Sequence, residues 1–197
     1  MIMESPYSGG HQGYSREDLK KLEASFAAFS EDVRQTVEMK KRYEEKYGRR
    51  IPLFVAGGIF TSEDVQLALD LGADGVQIGT RFIPTCECDA SDAYKRVFVQ
   101  ANADDLVIID SPVGMPARAV RNAFVERMLG DREDITFCYN CLKACNPAKA
   151  KFCISQALIN AVKGDLDNGL IFAGAKVGQI KNIQPVREVI AELLPEE

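Results

Sequence analysis

The sequence predicts an α/β fold built on parallel strands, and three features carry that prediction. Short apolar runs of strand length recur, at residues 51–56, 74–78 and 106–110. Segments with helical spacing of apolar residues separate them, so strand and helix alternate through the first 130 residues, the pattern of βαβ units. The first two runs each pass through glycine before a helix begins, Gly57-Gly58 after one and Gly79 after the other.

Taken in order, residues 1–4 read as the end of a strand, and three glycines and a proline make residues 6–13 a loop. Residues 15–47 are helical, with Ser15 and Asp18 as an N-cap signal, a second helix opening at Ser30-Glu31-Asp32, and Gly48 as the stop. Thr61-Ser62-Glu63-Asp64 caps the next helix, which Gly72 ends. Further helices are expected at residues 91–102 and 116–129. A cysteine-rich loop at 131–153 then breaks the rhythm, before helices at 154–163 and 183–194 flank a short apolar segment at 169–173.

With 197 residues the chain is long enough for one domain with a substantial core. A net charge of -5 without a basic cluster argues against nucleic acid as a partner. No apolar run reaches the roughly 18 residues of a membrane helix, and residues 1–5 do not make a signal peptide, so a cytoplasmic location is expected. Six cysteines in such a chain point to metal binding or free thiols rather than disulfides.

The two glycine loops suggest a phosphate cradle. A glycine between strand and helix lets backbone N–H groups approach an anion, and (β/α)8 barrels often build phosphate sites from successive late loops of this kind. Each loop alone is equally well read as a tight turn; their pairing favours the cradle. The G-x-G-x-x-G spacing of a dinucleotide fold is absent.

Residues 51–59 (IPLFVAGGI), residues 71–82 (LGADGVQIGTRF) and the Gly9-Gly10-His11 loop together resemble the nitronate monooxygenase family, which includes flavin-dependent enoyl-ACP reductases. The resemblance covers essentially the whole chain, most closely residues 1–130, and implies the C-terminal part of an FMN-binding TIM (β/α)8 barrel spanning 1–197, with the family's N-terminal strands absent. It implies that Gly57, Gly58, Gly79 and Thr80 hold the FMN phosphate, that Gly9, Gly10, Ala56 and Gln77 complete the cofactor site, and that His11 is the catalytic base. An imidazole titrates near neutral pH, and His11 is the chain's only histidine. Gly174 is implied to approach the flavin, and Arg81 stands where it reaches a phosphate or forms an ion pair.

Cys138, Cys141, Cys145 and Cys153 have the spacing of candidate ligands for an iron–sulfur cluster or Zn, with free thiols the alternative. Cys86 and Cys88 read as ordinary thiols. The activity the resemblance implies is oxidation of nitronates or nitroalkanes with O2. The alternatives are an NAD(P)H-dependent enoyl-ACP or flavin reductase, or a non-catalytic or split subunit that binds a partner half carrying the absent strands.

Overall fold

The computed structural model describes residues 1–21, 26–143 and 145–194. Strand β1 (Ile2–Glu4) pairs in parallel with β3 (Phe54–Ala56), which pairs in parallel with β4 (Gly75–Gln77). Between β1 and β3 lie the two-residue strand β2 (Gly10–His11) and helices α1 (Arg16–Lys21) and α2 (Phe26–Tyr47). Ser15 caps α1 by accepting from the Asp18 N–H at 3.1 Å, as its position suggests. Helix α2 runs straight through Ser30, which is buried rather than a cap, so the expected start at Ser30 is set aside. Gly48 ends α2 with φ 60.

Helix α3 (Ser62–Asp70) connects β3 to β4. Its capping box is complete: Thr61 Oγ1 accepts the Asp64 N–H, and the Asp64 carboxylate accepts the Thr61 N–H. Val65, Ala68 and Leu71 pack inward with Leu53, Val55, Val33 and Val37, forming the core beneath the parallel sheet. Lys40, buried on α2, pairs with the Asp74 carboxylate. That carboxylate also takes the Leu53 N–H at 2.9 Å and Arg50 at 2.6 Å. These contacts hold the Asp74 carboxyl far below the usual carboxylate range, chiefly through the Lys40 hydrogen bond.

The second half departs from strict alternation. Helix α4 (Asp92–Gln100), capped by Ser91, leads to β5 (Leu106–Asp110), which turns back antiparallel to β6 (Pro116–Val120); β6 also pairs antiparallel with β2. The helix expected over 116–129 is thus a strand to Val120, and α5 begins only at Ala123, capped by Asn122. Residues 116–120, Pro-Ala-Arg-Ala-Val, lack a strong strand propensity. Strand pairing wins because Ala117 and Ala119 are fully buried on one side while Arg118 points to the other. Helices α5 (Ala123–Gly130), α6 (Ile154–Lys163) and α7 (Val186–Leu193) complete the chain.

The loop at 131–153 closes at its base. The Glu133 N–H donates to the Lys151 carbonyl at 2.9 Å, and Lys151 Nζ donates to the Met128 carbonyl at 2.6 Å. Among the described residues β1 and β4 each have one strand partner, leaving both edges of the parallel sheet open. Ile2, Phe54, Leu69, Ile190 and Leu194 form an exposed apolar face beside them. No helix among the described residues is long and apolar enough to cross a membrane.

Candidate functional site

Parallel pairing aligns Glu4, Ala56 and Gln77 at one rim of the sheet. The loops leaving this rim are stitched together. Ser5 Oγ donates to the Gly57 carbonyl at 2.8 Å and accepts the Tyr7 N–H at 3.2 Å. Gly174 N–H donates to Thr80 Oγ1 at 3.0 Å, and Ala175 N–H to the Tyr7 carbonyl at 2.9 Å. Arg118 Nη1 reaches the Pro6 and Ser8 carbonyls at 2.7 and 2.9 Å. The approach is too close for side chains at two points. A Cβ at Gly9 would sit 2.6 Å from the Ala173 carbonyl carbon. One at Gly57, with φ +81, would sit 2.9 Å from the Ser8 nitrogen.

These loops enclose a cleft of ≈ 240 Å³. Gly9, Ala56, Gly57, Gly58, Gln77, Gly79 and Thr80 all line it, so seven of the eight predicted cofactor residues meet at one place. The eighth, Gly10, lies outside the lining, packed on the Phe172 ring. Gly174, Tyr7, Ser8, Phe172 and Lys176 line the cleft as well.

Two observations bear on what the cleft accepts. Gly79 has φ -113, a conformation open to other residues, and a Cβ built there meets nothing within 4 Å; the glycine keeps space free rather than serving the backbone. Ser8 lines the cleft, and its Oγ is buried without a hydrogen-bond partner; a buried hydroxyl is costly unless something binds it. The Gln12 Oε1 is likewise buried and unpartnered, while its Nε2 donates to the Ser8 carbonyl at 2.7 Å.

His11 stands behind Phe172 rather than on the cleft lining. Its ring meets Phe172 edge-on at 5.2 Å, and Nε2 lies 2.8 Å from Ser111 Oγ. Ser111 occupies the β5–β6 turn, where its Oγ also accepts the Val113 N–H at 3.4 Å. Burial pushes the imidazole pKa below its usual 6.5, favouring the neutral form that accepts a proton. Arg81, a candidate phosphate ligand, is occupied elsewhere: Nη1 donates to the Phe60 carbonyl at 2.7 Å, Nη2 pairs with Glu192, and the guanidinium stacks on the Phe60 ring at 4.5 Å.

The four candidate metal ligands do not assemble. Cys138 and Cys141 are exposed, Cys145 and Cys153 half-buried, and all are free thiols. Cys138 Sγ instead accepts the Asn140 N–H at 3.4 Å, and Cys153 sits at the start of α6. Among the described residues no three His, Cys, Asp or Glu side chains gather as metal ligands would, so the expected Cys138–Cys141–Cys145–Cys153 centre is corrected to dispersed thiols.

Lys176, Ser111 and Phe172 are the site residues the sequence did not announce. Lys176 is defined by Asp64, 112 positions away. Ser111 follows a strand end beside Pro112, a turn signal that marks a position but not a partner.

The fold and cleft define an α/β protein with a glycine-lined pocket at the C-terminal rim of a parallel sheet. The chain belongs to the nitronate monooxygenase family, whose model matches residues 1–196. It is 32% identical over 128 residues to a probable nitronate monooxygenase of Staphylococcus saprophyticus, covering 65% of this chain and 33% of that relative. A Mycobacterium tuberculosis protein, (3aS,4S,5R,7aS)-5-hydroxy-7a-methyl-1-oxo-octahydro-1H-indene-4-carboxyl-CoA dehydrogenase, is also 32% identical over 128 residues, covering 65% and 31%. FabK from Thermotoga maritima superposes with TM-score 0.69 and 29% identity over 98% of this chain and 52% of its own. Nitroalkane oxidase from Streptomyces ansochromogenes shares the fold at TM-score 0.63, 24% identity, and 98% and 50% coverage. The chain thus spans about a third of these curated relatives and about half of these solved structures.

Proposed function

We propose that the chain is the FMN-binding part of a TIM-barrel oxidoreductase that oxidises nitronates or nitroalkanes with O2. The observation that carries this reading is the cleft itself, where Gly57, Gly58, Gly79 and Thr80 converge beside the orphaned Ser8 hydroxyl. That arrangement fits a phosphate: backbone N–H groups approach closely, and Ser8 offers a hydroxyl with no other claim on it. Its ≈ 240 Å³ falls below the ~300–1,000 Å³ of whole-ligand pockets, which suits the phosphate end of FMN rather than the full cofactor.

When bound, FMN would supply electron acceptance and the subsequent reaction with O2. The chain's own contribution is positioning and proton transfer. His11, neutral at pH 7, takes the proton from the carbon beside a nitro group, and Ser111 fixes the ring through Nε2. Phe172 lines the cleft and meets the His11 ring edge-on at 5.2 Å, an apolar wall between the phosphate end and the imidazole.

The open edges of β1 and β4 and the apolar face beside them support a second element of the proposal, that further barrel strands complete the site from a partner half. The motifs shared with enoyl-ACP reductases keep an NAD(P)H-dependent reductase as the alternative; NADH consumption without nitronate turnover identifies it. The primary test is to add FMN to the purified chain, desalt, and record the absorbance spectrum. Retained flavin bands support the reading; a colourless protein overturns it for this chain.

A further inference from the structure

We infer that Lys176 is a specificity residue of the cleft, selecting phosphorylated flavin over flavin lacking phosphate. This rests on the FMN reading above. The charged residues lining the cleft are Glu4, Arg81 and Lys176. Arg81 spends Nη1 on the Phe60 carbonyl and Nη2 on Glu192. Lys176 differs. Its Nζ donates to Asp64 Oδ1 at 2.7 Å and Oδ2 at 2.6 Å, and an ammonium has three N–H donors, so one remains.

The residues around Lys176 hold it at the cleft wall. Lys176 lines the cleft and Asp64 does not, so the carboxylate holds the Lys176 ammonium from outside the cleft lining. Asp64 cannot swing away, because Oδ2 also accepts the Phe60 and Thr61 N–H groups at 2.8 and 3.0 Å as part of the α3 capping box. Burial opposes the Asp64 charge, but the Lys176 hydrogen bond and these backbone donors hold its carboxyl below its usual range. The backbone leading into Lys176 is fixed too, since the Gly174 and Ala175 N–H groups are tied to Thr80 and Tyr7. A cation anchored at both its backbone and its head group loses little freedom on meeting an anion, which is what a preorganised phosphate contact requires.

The test compares FMN with riboflavin, which differ by the phosphate alone, using quenching of flavin fluorescence by the full chain. Wild type should bind FMN about tenfold or more tightly than riboflavin, a difference of about 1.4 kcal/mol. Lys176→Met should erase most of that preference while leaving riboflavin affinity unchanged, and Lys176→Arg should retain it. If the unpaired Asp64 prevents Lys176→Met from folding, Asp64→Asn/Lys176→Gln removes both charges and keeps a capping oxygen. The same loss of preference is expected there. A variant without the cation that still prefers FMN overturns the assignment, as does a wild type that binds both flavins equally, which leaves the flavin reading standing. A wild type that binds neither overturns both.

Discussion

Gly57→Ala and Gly79→Ala make a paired test of whether the cleft is built for a ligand. At Gly57 the added methyl group meets the Ser8 nitrogen at 2.9 Å and Ser5 Oγ at 2.7 Å, and φ +81 adds about 1–2 kcal/mol for any residue with a Cβ. For a chain of this size that backbone cost alone lowers Tm by roughly 2–8 °C, and the clash adds to it. At Gly79 nothing lies within 4 Å and φ is -113, so alanine should leave stability unchanged or raise it by under about 1 kcal/mol. The methyl group instead intrudes where an anion would approach the backbone. Losing one charge-assisted hydrogen bond there, about 1.5 kcal/mol, weakens FMN binding by about tenfold or more. Thermal melts followed by circular dichroism and FMN fluorescence titrations read both quantities. A Gly79→Ala protein that melts early yet binds FMN normally would refute the reasoning, because the glycine would then be serving the fold.

Three further outcomes are expected. In an FMN-loaded enzyme with a complete barrel, His11→Ala should abolish nitronate turnover with flavin still bound; unchanged turnover in a stopped assay would remove His11 from the chemistry. Because burial lowers the His11 pKa, the acid limb of kcat/KM should fall below pH 6.5, with activity lost as pH drops through that lowered value; Ser111→Ala should shift this limb, and an identical profile would show that Ser111 does not act on the ring. The depressed Asp74 pKa means its contribution to stability is present above the ordinary carboxylate pKa and disappears as pH falls through the folded value. Acid unfolding of Asp74→Asn, followed by circular dichroism, should therefore depend less steeply on pH below about 4 than that of wild type.

What could be read in the sequence was what is encoded locally. The Thr61/Asp64 capping box, the Gly48 and Gly72 helix stops and the strand–glycine junctions at 56–58 and 77–79 depend on neighbours a few residues away, and the structure has them where the pattern put them. Seven of the eight residues expected to hold a cofactor share one cleft for the same reason, since parallel strands deliver their loops to one rim. What escaped depends on distant partners. Strand β6 looks indifferent by composition and is decided by β5 and β2. The Lys176–Asp64 and His11–Ser111 contacts join positions 112 and 100 apart, and no local pattern marks them. The cysteine spacing misled because spacing permits a metal site without bringing four thiols to one point.

The closed base of the 131–153 loop has a practical consequence. Because Glu133 and Lys151 already meet, and Lys151 clasps the end of α5, the ends of the loop are held by its stem, with Tyr139 Oη donating to Gln156 Oε1 on α6 at 2.7 Å as a contact from its interior. The interior of the loop is therefore a place to splice in foreign sequence: an affinity tag, a fluorescent label on a single retained cysteine, or a tether to a second polypeptide. Such insertions should be tolerated while the cleft stays as it is.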